Sequence, residues 1–246
     1  MRMTLLTAGL LALAPFTASA QDADVDAAAA EAPNTWVGTG ELGLAISKGN
    51  TDSETLVGSL SLGYHGDVWH HGAGASFLYG KSDDEENAYR YEFWAQSGRD
   101  LSERSYLLGS IRNERDHFAS NEYQWTAAVG YGFRAIDTEA TKLLFEVGPG
   151  YRWSKLQDVQ VHRNEGIVRG TMAFAHQFND STSISNDLLV EAGSENTFVR
   201  NDLALKVKMT EALALKAGVE VRHNTDVLPD TKKTDTLTTV NVVYDF

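Results

Sequence analysis

The chain has 246 residues, no cysteine and a formal charge of −13. The missing thiols exclude a disulfide framework and Cys-ligated metal centres, and the acidic balance excludes a nucleic-acid binder, which needs a basic face. Past the leader no run of about twenty apolar residues occurs, so helical membrane spans are excluded. A mean hydropathy of −0.30 still suits a membrane barrel, because half of each barrel strand is polar.

Residues 1–20 read as a secretory signal peptide: Arg2 supplies the charge, Leu5 to Phe16 the apolar core, and Ala18-Ser19-Ala20 a small-residue cleavage site. Residues 21–35 are acidic, alanine-rich and without periodicity, which predicts a disordered lead-in. From residue 36 to 246 a period-2 alternation hardly stops, and alternation means strands with one apolar and one polar face.

The first strand sets Leu42, Leu44 and Ile46 against Thr39, Glu41 and Ser47; the second sets Leu56, Leu60, Leu62 and Tyr64 against Ser59, Ser61 and His65. Trp69, Ala73, Ala75, Phe77 and Tyr79 mark the third. After a polar loop expected over residues 81–88, Tyr89, Tyr91 and Phe93 alternate with Arg90, Glu92 and Gln96. The fifth opposes Leu107 and Ile111 to Ser110, Arg112 and Glu114. In the sixth, Tyr123, Trp125, Ala127, Val129, Tyr131 and Phe133 alternate with polar and glycine positions ending at Arg134. The seventh has Leu143, Phe145, Val147, Tyr151 and Trp153 against Glu146 and Arg152; the eighth has Val168, Met172, Phe174 and Phe178 against Arg169, Thr171 and Gln177. Ile184, Leu188 and Val190 then oppose Asp187 and Glu191, and Leu203, Leu205, Val207 and Met209 oppose Arg200, Asp202, Lys206 and Lys208. The eleventh strand sets Leu213, Leu215, Ala217, Val219 and Val221 against Lys216, Glu220 and Arg222. In the last, Val240, Val242, Tyr244 and Phe246 alternate with Thr239, Asn241 and Asp245, and Val243 is the one exception.

The pattern predicts an all-β, transmembrane, antiparallel up-and-down barrel of about 12 strands, of outer-membrane type. A Lys or Arg facing lipid at the bilayer midplane costs about 2–4 kcal/mol, so the charged parity must face inward. A soluble lipocalin or β-sandwich would alternate as well, but with the apolar face inside. The number of strands, the terminal Phe246 and the inward glycines Gly130, Gly132, Gly148 and Gly150 weigh against it. Aromatic residues near strand ends suit interfacial girdles. With both termini periplasmic, short periplasmic turns should alternate with longer outer loops.

The lumen-lining candidates are Arg90, Glu92, Arg112, Glu114, Arg134, Glu146, Arg152, Arg169, Asp187, Glu191, Arg200, Asp202, Lys206, Lys208, Lys216, Glu220 and Arg222. They could line a polar conduit, with cations of strands ten and eleven favouring anions, or form ion pairs that brace a filled interior. A strand count near twelve lies between filled and water-filled barrels and leaves both open. Tyr244 and Phe246 are the expected assembly signal, read by the barrel-assembly machinery. No catalytic set, cofactor or metal site is expected. Asp116-His117, with Glu114 nearby, is the one acid–His pair on an outer loop; the acidic stretch Asp83-Asp84-Glu85-Glu86 lacks the spacing of a calcium loop.

The stretches SKGNTDSETL, SYLLGSIRNERDHF, VGYGFRAIDTEATKL and EVGPGYRW, in this order and spacing, resemble the YdiY-like family of salt-induced outer-membrane proteins (domain of unknown function 481). The resemblance covers most of residues 36–246. It implies an outer-membrane barrel of a Gram-negative envelope and a link to salt or osmotic adaptation, and brings no catalytic residues with it. The expected protein is a monomer in the cell outer membrane whose partners are membrane lipid, lipopolysaccharide and the assembly machinery, not nucleic acid. Its expected role is that of a narrow solute or ion channel or a structural envelope protein, not an enzyme. A small outer-membrane hydrolase, or an adhesion or ligand-binding barrel acting through its acidic outer loops, are the alternatives.

Overall fold

The computed structural model describes residues 34–48, 53–82, 85–157, 161–229 and 231–246; the signal peptide and nearly all of the lead-in lie outside them. Twelve strands follow one another: β1 (Thr35–Lys48), β2 (Ser53–His65), β3 (Trp69–Ser82), β4 (Glu85–Ser102), β5 (Ser105–Asp116), β6 (Asn121–Asp137), β7 (Thr141–Leu156), β8 (His162–Asn179), β9 (Thr182–Gly193), β10 (Thr197–Lys208), β11 (Leu213–Asn224) and β12 (Thr234–Asp245). Each pairs antiparallel with its sequence neighbours, and β12 pairs with β1 to close the barrel. Closure leaves no edge, which a structure surrounded by hydrocarbon requires because lipid offers no hydrogen bonds.

Alternation decides the two faces. Leu42, Val129, Val147, Val168, Val240 and Val242 all stand exposed on the outer face. Val129 keeps 63% of its surface accessible, a position that water would penalise and lipid would not. Trp36, Tyr64, Trp69, Phe133, Phe178 and Tyr244 lie towards the end that carries the termini; Tyr79, Tyr89, Tyr123, Trp125 and Trp153 lie towards the other. These are the two girdles expected of a membrane barrel.

Two expectations need correction. Residues 81–88 do not form a long loop: β3 runs to Ser82 and β4 starts at Glu85. The register sets Lys81 against Glu86, and the Tyr79 hydroxyl donates to Glu86 (3.2 Å), so opposite charges and a side-chain bond keep the ladder going beyond the girdle. The stretch 83–84 lies outside the described residues. Connections at the two ends also differ less in length than expected. The terminal-end turns span 66–68, 103–104, 138–140, 180–181 and 209–212, and opposite them only 225–233 is long among the described connections.

Val243, the break in the alternation of β12, points inward and is 1% exposed. With Ala214, Val37 and Leu108, all buried, it packs the terminal end of the interior. The closing seam continues past the strand: the Phe246 N–H donates to the Gly38 carbonyl (2.8 Å) and the Gly38 N–H to the Phe246 carbonyl (2.7 Å). Phe246 also lies across Gly38, where a side chain would collide with its ring.

Deleting Phe246 should therefore reduce the yield of heat-modifiable, folded barrel on gels severely, whereas removing residues 21–33 should leave it unchanged. Equal yields would refute the importance of this seam. Gly148 offers a second check, since a Cβ there would sit inside the backbone of Val129 and Gly130. Gly148→Ala should lower unfolding stability by about 1–3 kcal/mol, while Gly109→Ala, with nothing within 4 Å, should change it little in a denaturant titration.

Candidate functional site: the charged lumen

Strand register places like charges side by side on the inner wall. Arg200 faces Arg222 across β10–β11, Lys206 faces Lys216, and Glu92 faces Glu114 across β4–β5. Asp187, Asp202 and Glu220 form one row over β9, β10 and β11. Like charges directly opposite are destabilising. Their partners must come from elsewhere in the barrel.

They come from across the lumen. Arg112 on β5 reaches Glu191 on β9 through Nη2 (2.8 Å), and its Nη1 serves Glu114 (2.8 Å) and Glu92 (3.1 Å). Arg200 on β10 binds Glu92 on β4 (2.8 Å) and, through Nε, its own strand's Asp202 (3.1 Å). Arg222 on β11 binds Glu114 on β5 (2.5 Å), and Arg90 on β4 binds Glu220 on β11 (2.7 Å). Arg112–Glu92 joins neighbouring strands, but β5 and β9, β10 and β4, β11 and β5, and β4 and β11 are not neighbours in the sheet, so the pairs between them span the interior as a belt. Phe198 sits within it, 5.1 Å from the Arg112 guanidinium and 4.9 Å from that of Arg222, and is almost fully buried. Arg152 extends the belt to Glu165 (2.6 Å) and towards Glu191 (3.8 Å), and also donates to the Asn196 carbonyl.

Nearer the termini a second polar layer forms. Glu146 accepts from the Tyr106 hydroxyl (2.8 Å), Thr171 (2.9 Å) and Arg169 (3.0 Å). Arg134 pairs with Asp100 (2.8 Å) and lies over the Tyr106 ring (4.8 Å). Lys206 binds Asp245 (2.8 Å), which also accepts from Thr39 (3.0 Å), and Lys216 binds Glu41 (2.8 Å), which accepts from Asn241 (2.9 Å). Lys206 and Lys216 thus tie β10 and β11 to the seam between β12 and β1. Lys208 shares their parity at the strand's terminal end, and Asp187 lies on β9 facing the same interior.

Between the layers lies a cavity of about 360 Å³, bordered by Trp94, Gln96, Ser76, Asp187, Arg200 and Lys216 among others. At the loop end, residues 225–229 fold over the mouth. The Leu228 N–H donates to the Ser120 hydroxyl (2.9 Å), and Asp226 pairs with Arg163 (2.5 Å).

Several members of the site are not among the lumen candidates: Trp94, Tyr106, Phe198, Asp100 and Glu165, and also Glu41 and Asp245, which the alternation already placed on the polar face. Parity would have found them, since Trp94 falls in step with Arg90 and Glu92, and Phe198 with Arg200. Asp116 and His117 are not brought together as an acid–His pair. Asp116 accepts from the Phe118 N–H (2.9 Å), and the His117 ring packs on Tyr89 (4.7 Å). His70 turns inward against Tyr106 while His71 stacks outside on Tyr64 and Trp69.

This barrel is similar to the NanC porin (TM-score 0.57, 11% identity, 83% of this chain and 98% of that one). It is also similar to an outer-membrane channel from Pseudomonas putida F1 (0.52, 12%, 92% and 100%) and to the translocator domain of the autotransporter NalP from Neisseria meningitidis (0.52, 11%, 88% and 90%). At such identities the likeness establishes the fold, an outer-membrane-type β-barrel. In sequence, the Escherichia coli (strain K12) protein YdiY is 25% identical over 226 residues, covering 89% of this chain and 86% of that protein. The model of the family of unknown function DUF481 matches residues 40–246, and the chain belongs to that family.

Proposed function

We propose that this protein is a narrow outer-membrane channel for small polar solutes whose lumen rests closed, and not an enzyme. The observation that carries the reading is the Arg112–Glu191, Arg200–Glu92 and Arg222–Glu114 belt, which separates a polar cavity from the mouth. A purely structural barrel would gain as much from an apolar filling, because ion pairs taken out of water are offset by their own desolvation. Charged pairs, by contrast, can exchange partners with water and solute. The names of the NanC porin and the Pseudomonas channel support a conduit by analogy of fold.

The inner cations do not argue for anions. Arg200, Lys206, Lys216 and Arg222 each hold a carboxylate. Among the described residues bordering the cavity, the carboxylates of Glu41, Glu92, Asp187, Glu191, Asp202 and Glu220 outnumber the cations of Arg112, Arg169, Arg200 and Lys216. A low-dielectric wall focuses that surplus, so residual conductance favours cations. Salt adaptation has one physical counterpart: the Arg163–Asp226 pair is partly exposed, and an exposed pair is weakened by ionic strength, which loosens the loop over the mouth. Export by the 1–20 leader, a periplasmic location of both termini, insertion by the assembly machinery through Tyr244 and Phe246, and a monomeric state belong to the same proposal.

In planar bilayers the wild type should pass a small current that prefers cations. The double variant Arg112→Ser with Glu191→Ser removes two central charges together and should raise the current several-fold. An unchanged current in a folded variant would overturn the belt as the closure; no current in either would favour a structural barrel. Arg112→Ser alone leaves buried Glu191 with only Arg152 at 3.8 Å as a cation and takes one of two guanidinium partners from Glu92 and Glu114, so it should destabilise by about 3–5 kcal/mol. The double variant should lose less, a non-additivity that a thermal or denaturant double-mutant cycle reads directly.

A further inference from the structure

We propose that the central cavity is a binding site for small, uncharged, polyhydroxylated solutes of about monosaccharide size, with the indole of Trp94 as its platform. The proposal rests on the reading of the barrel as a solute conduit and names the class of solute.

Trp94 breaks the rule its kind follows here. Trp36, Trp69, Trp125 and Trp153 stand exposed on the lipid face, where an amphipathic ring belongs. Trp94 instead borders the cavity. Among the described residues it is not a member of the buried apolar cluster of Leu78, Ala88 and Leu237 with Val57 against it, although Val57 and Leu237 border the same cavity. Its cross-strand partner is Gly74. A Cβ at Gly74 would lie 2.5–2.8 Å from Nε1, Cε2 and Cζ2 of the indole, so the ring occupies the space directly over Gly74. The ring is thereby held against the wall at Gly74 while it borders the cavity.

Directly opposite Trp94 on β5 is Arg112, held by Glu191, Glu114 and Glu92, but the wall from β2 to β4 beside the ring offers uncharged hydrogen-bonding groups. Ser61 is the cross-strand partner of Gly74, Ser59 pairs with Ser76 in the adjacent row, and Gln96 pairs with Ser110 on the other side. Hydroxyls and amides both donate and accept, and the ligand group that answers them without bringing charge is another hydroxyl. The C–H face of a sugar ring covers an indole while its rim presents such hydroxyls. The opposite wall is charged but occupied, Arg200 by Glu92 and Asp202, Lys216 by Glu41. A neutral hydroxyl can share those groups, whereas an ionic solute must first break a pair. The surplus of carboxylates around the cavity repels anions in particular. A volume of about 360 Å³ falls at the small end of ligand pockets and suits one ring with a few waters rather than a chain.

The test is calorimetric titration of the refolded full chain in detergent micelles with glycerol, D-glucose and maltose, and with D-glucuronate and choline as charged controls. Glucose should bind saturably, with both charged probes at least about tenfold weaker. Trp94→Ala should weaken glucose binding at least about tenfold while heat-modifiability on gels and circular dichroism stay those of the wild type. Should Trp94→Ala not fold, Ser61→Ala with Ser76→Ala removes two hydroxyls without touching the platform and should weaken binding several-fold. The proposal is overturned if no neutral probe binds, if glucuronate or choline binds more tightly than glucose, or if the folded variants bind glucose like the wild type. Conductance of the same preparation separates the two readings. Binding without current removes the conduit and leaves the site; current without binding removes the site and leaves the conduit.

Discussion

Three arginines on two facing walls hold this barrel together from within. Arg112 on β5 and Arg200 and Arg222 on β10 and β11 are bound by Glu191, Glu92 and Glu114 on strands that do not touch theirs in the sheet. The cause is the register. Because Arg200 lies opposite Arg222 and Glu92 opposite Glu114, neither pair can be neutralised by its neighbour, and each finds the other across the interior. Sheet hydrogen bonds close the barrel; the charges determine how much space remains inside it.

Two filled layers and a gap result. The belt forms one layer, with Phe198 lodged between two guanidinium groups. The other is built around Glu146, Tyr106 and Arg134 and finished by Val243 and Ala214. The cavity between them mixes polar side chains with Val57, Leu144, Leu189 and Leu237, and nearly every charge bordering it already has a counter-ion. That arrangement discriminates by chemistry rather than by width: groups that share hydrogen bonds enter at low cost, and charges pay desolvation. The same side chains serve assembly. Lys206 and Lys216 anchor β10 and β11 to Asp245 and Glu41 on the two strands that meet at the seam, so altering the lumen's charge there also loosens its closure.

Much of this was legible in the residues. Strict alternation gave the strands, their order and their two faces, because lipid on one side and polar contents on the other leave a side-chain period of two no freedom. The inward parity of Arg112, Glu146 or Arg222 follows from the same rule, as does that of Trp94 once the rule is applied without regard to residue type. Val243 looked like an error in the pattern, and only its 1% exposure explains it as packing at a closed end. The tails of β3 and β4 look like loop by composition, but Lys81 facing Glu86 keeps them paired.

Sequence by itself determined which side of the wall each residue occupies, since that depends only on counting along one strand. It could not determine which residues share a height, because height depends on the stagger between strands, and the stagger is set by all the ladders closing at once. That is why Arg200 and Glu92, 108 residues apart in the chain, could be identified as inward charges but not as partners. The tertiary structure alone decided that the inner cations are neutralised across the lumen, that a cavity is left beneath them, and that the one inward tryptophan sits over Gly74 at its edge.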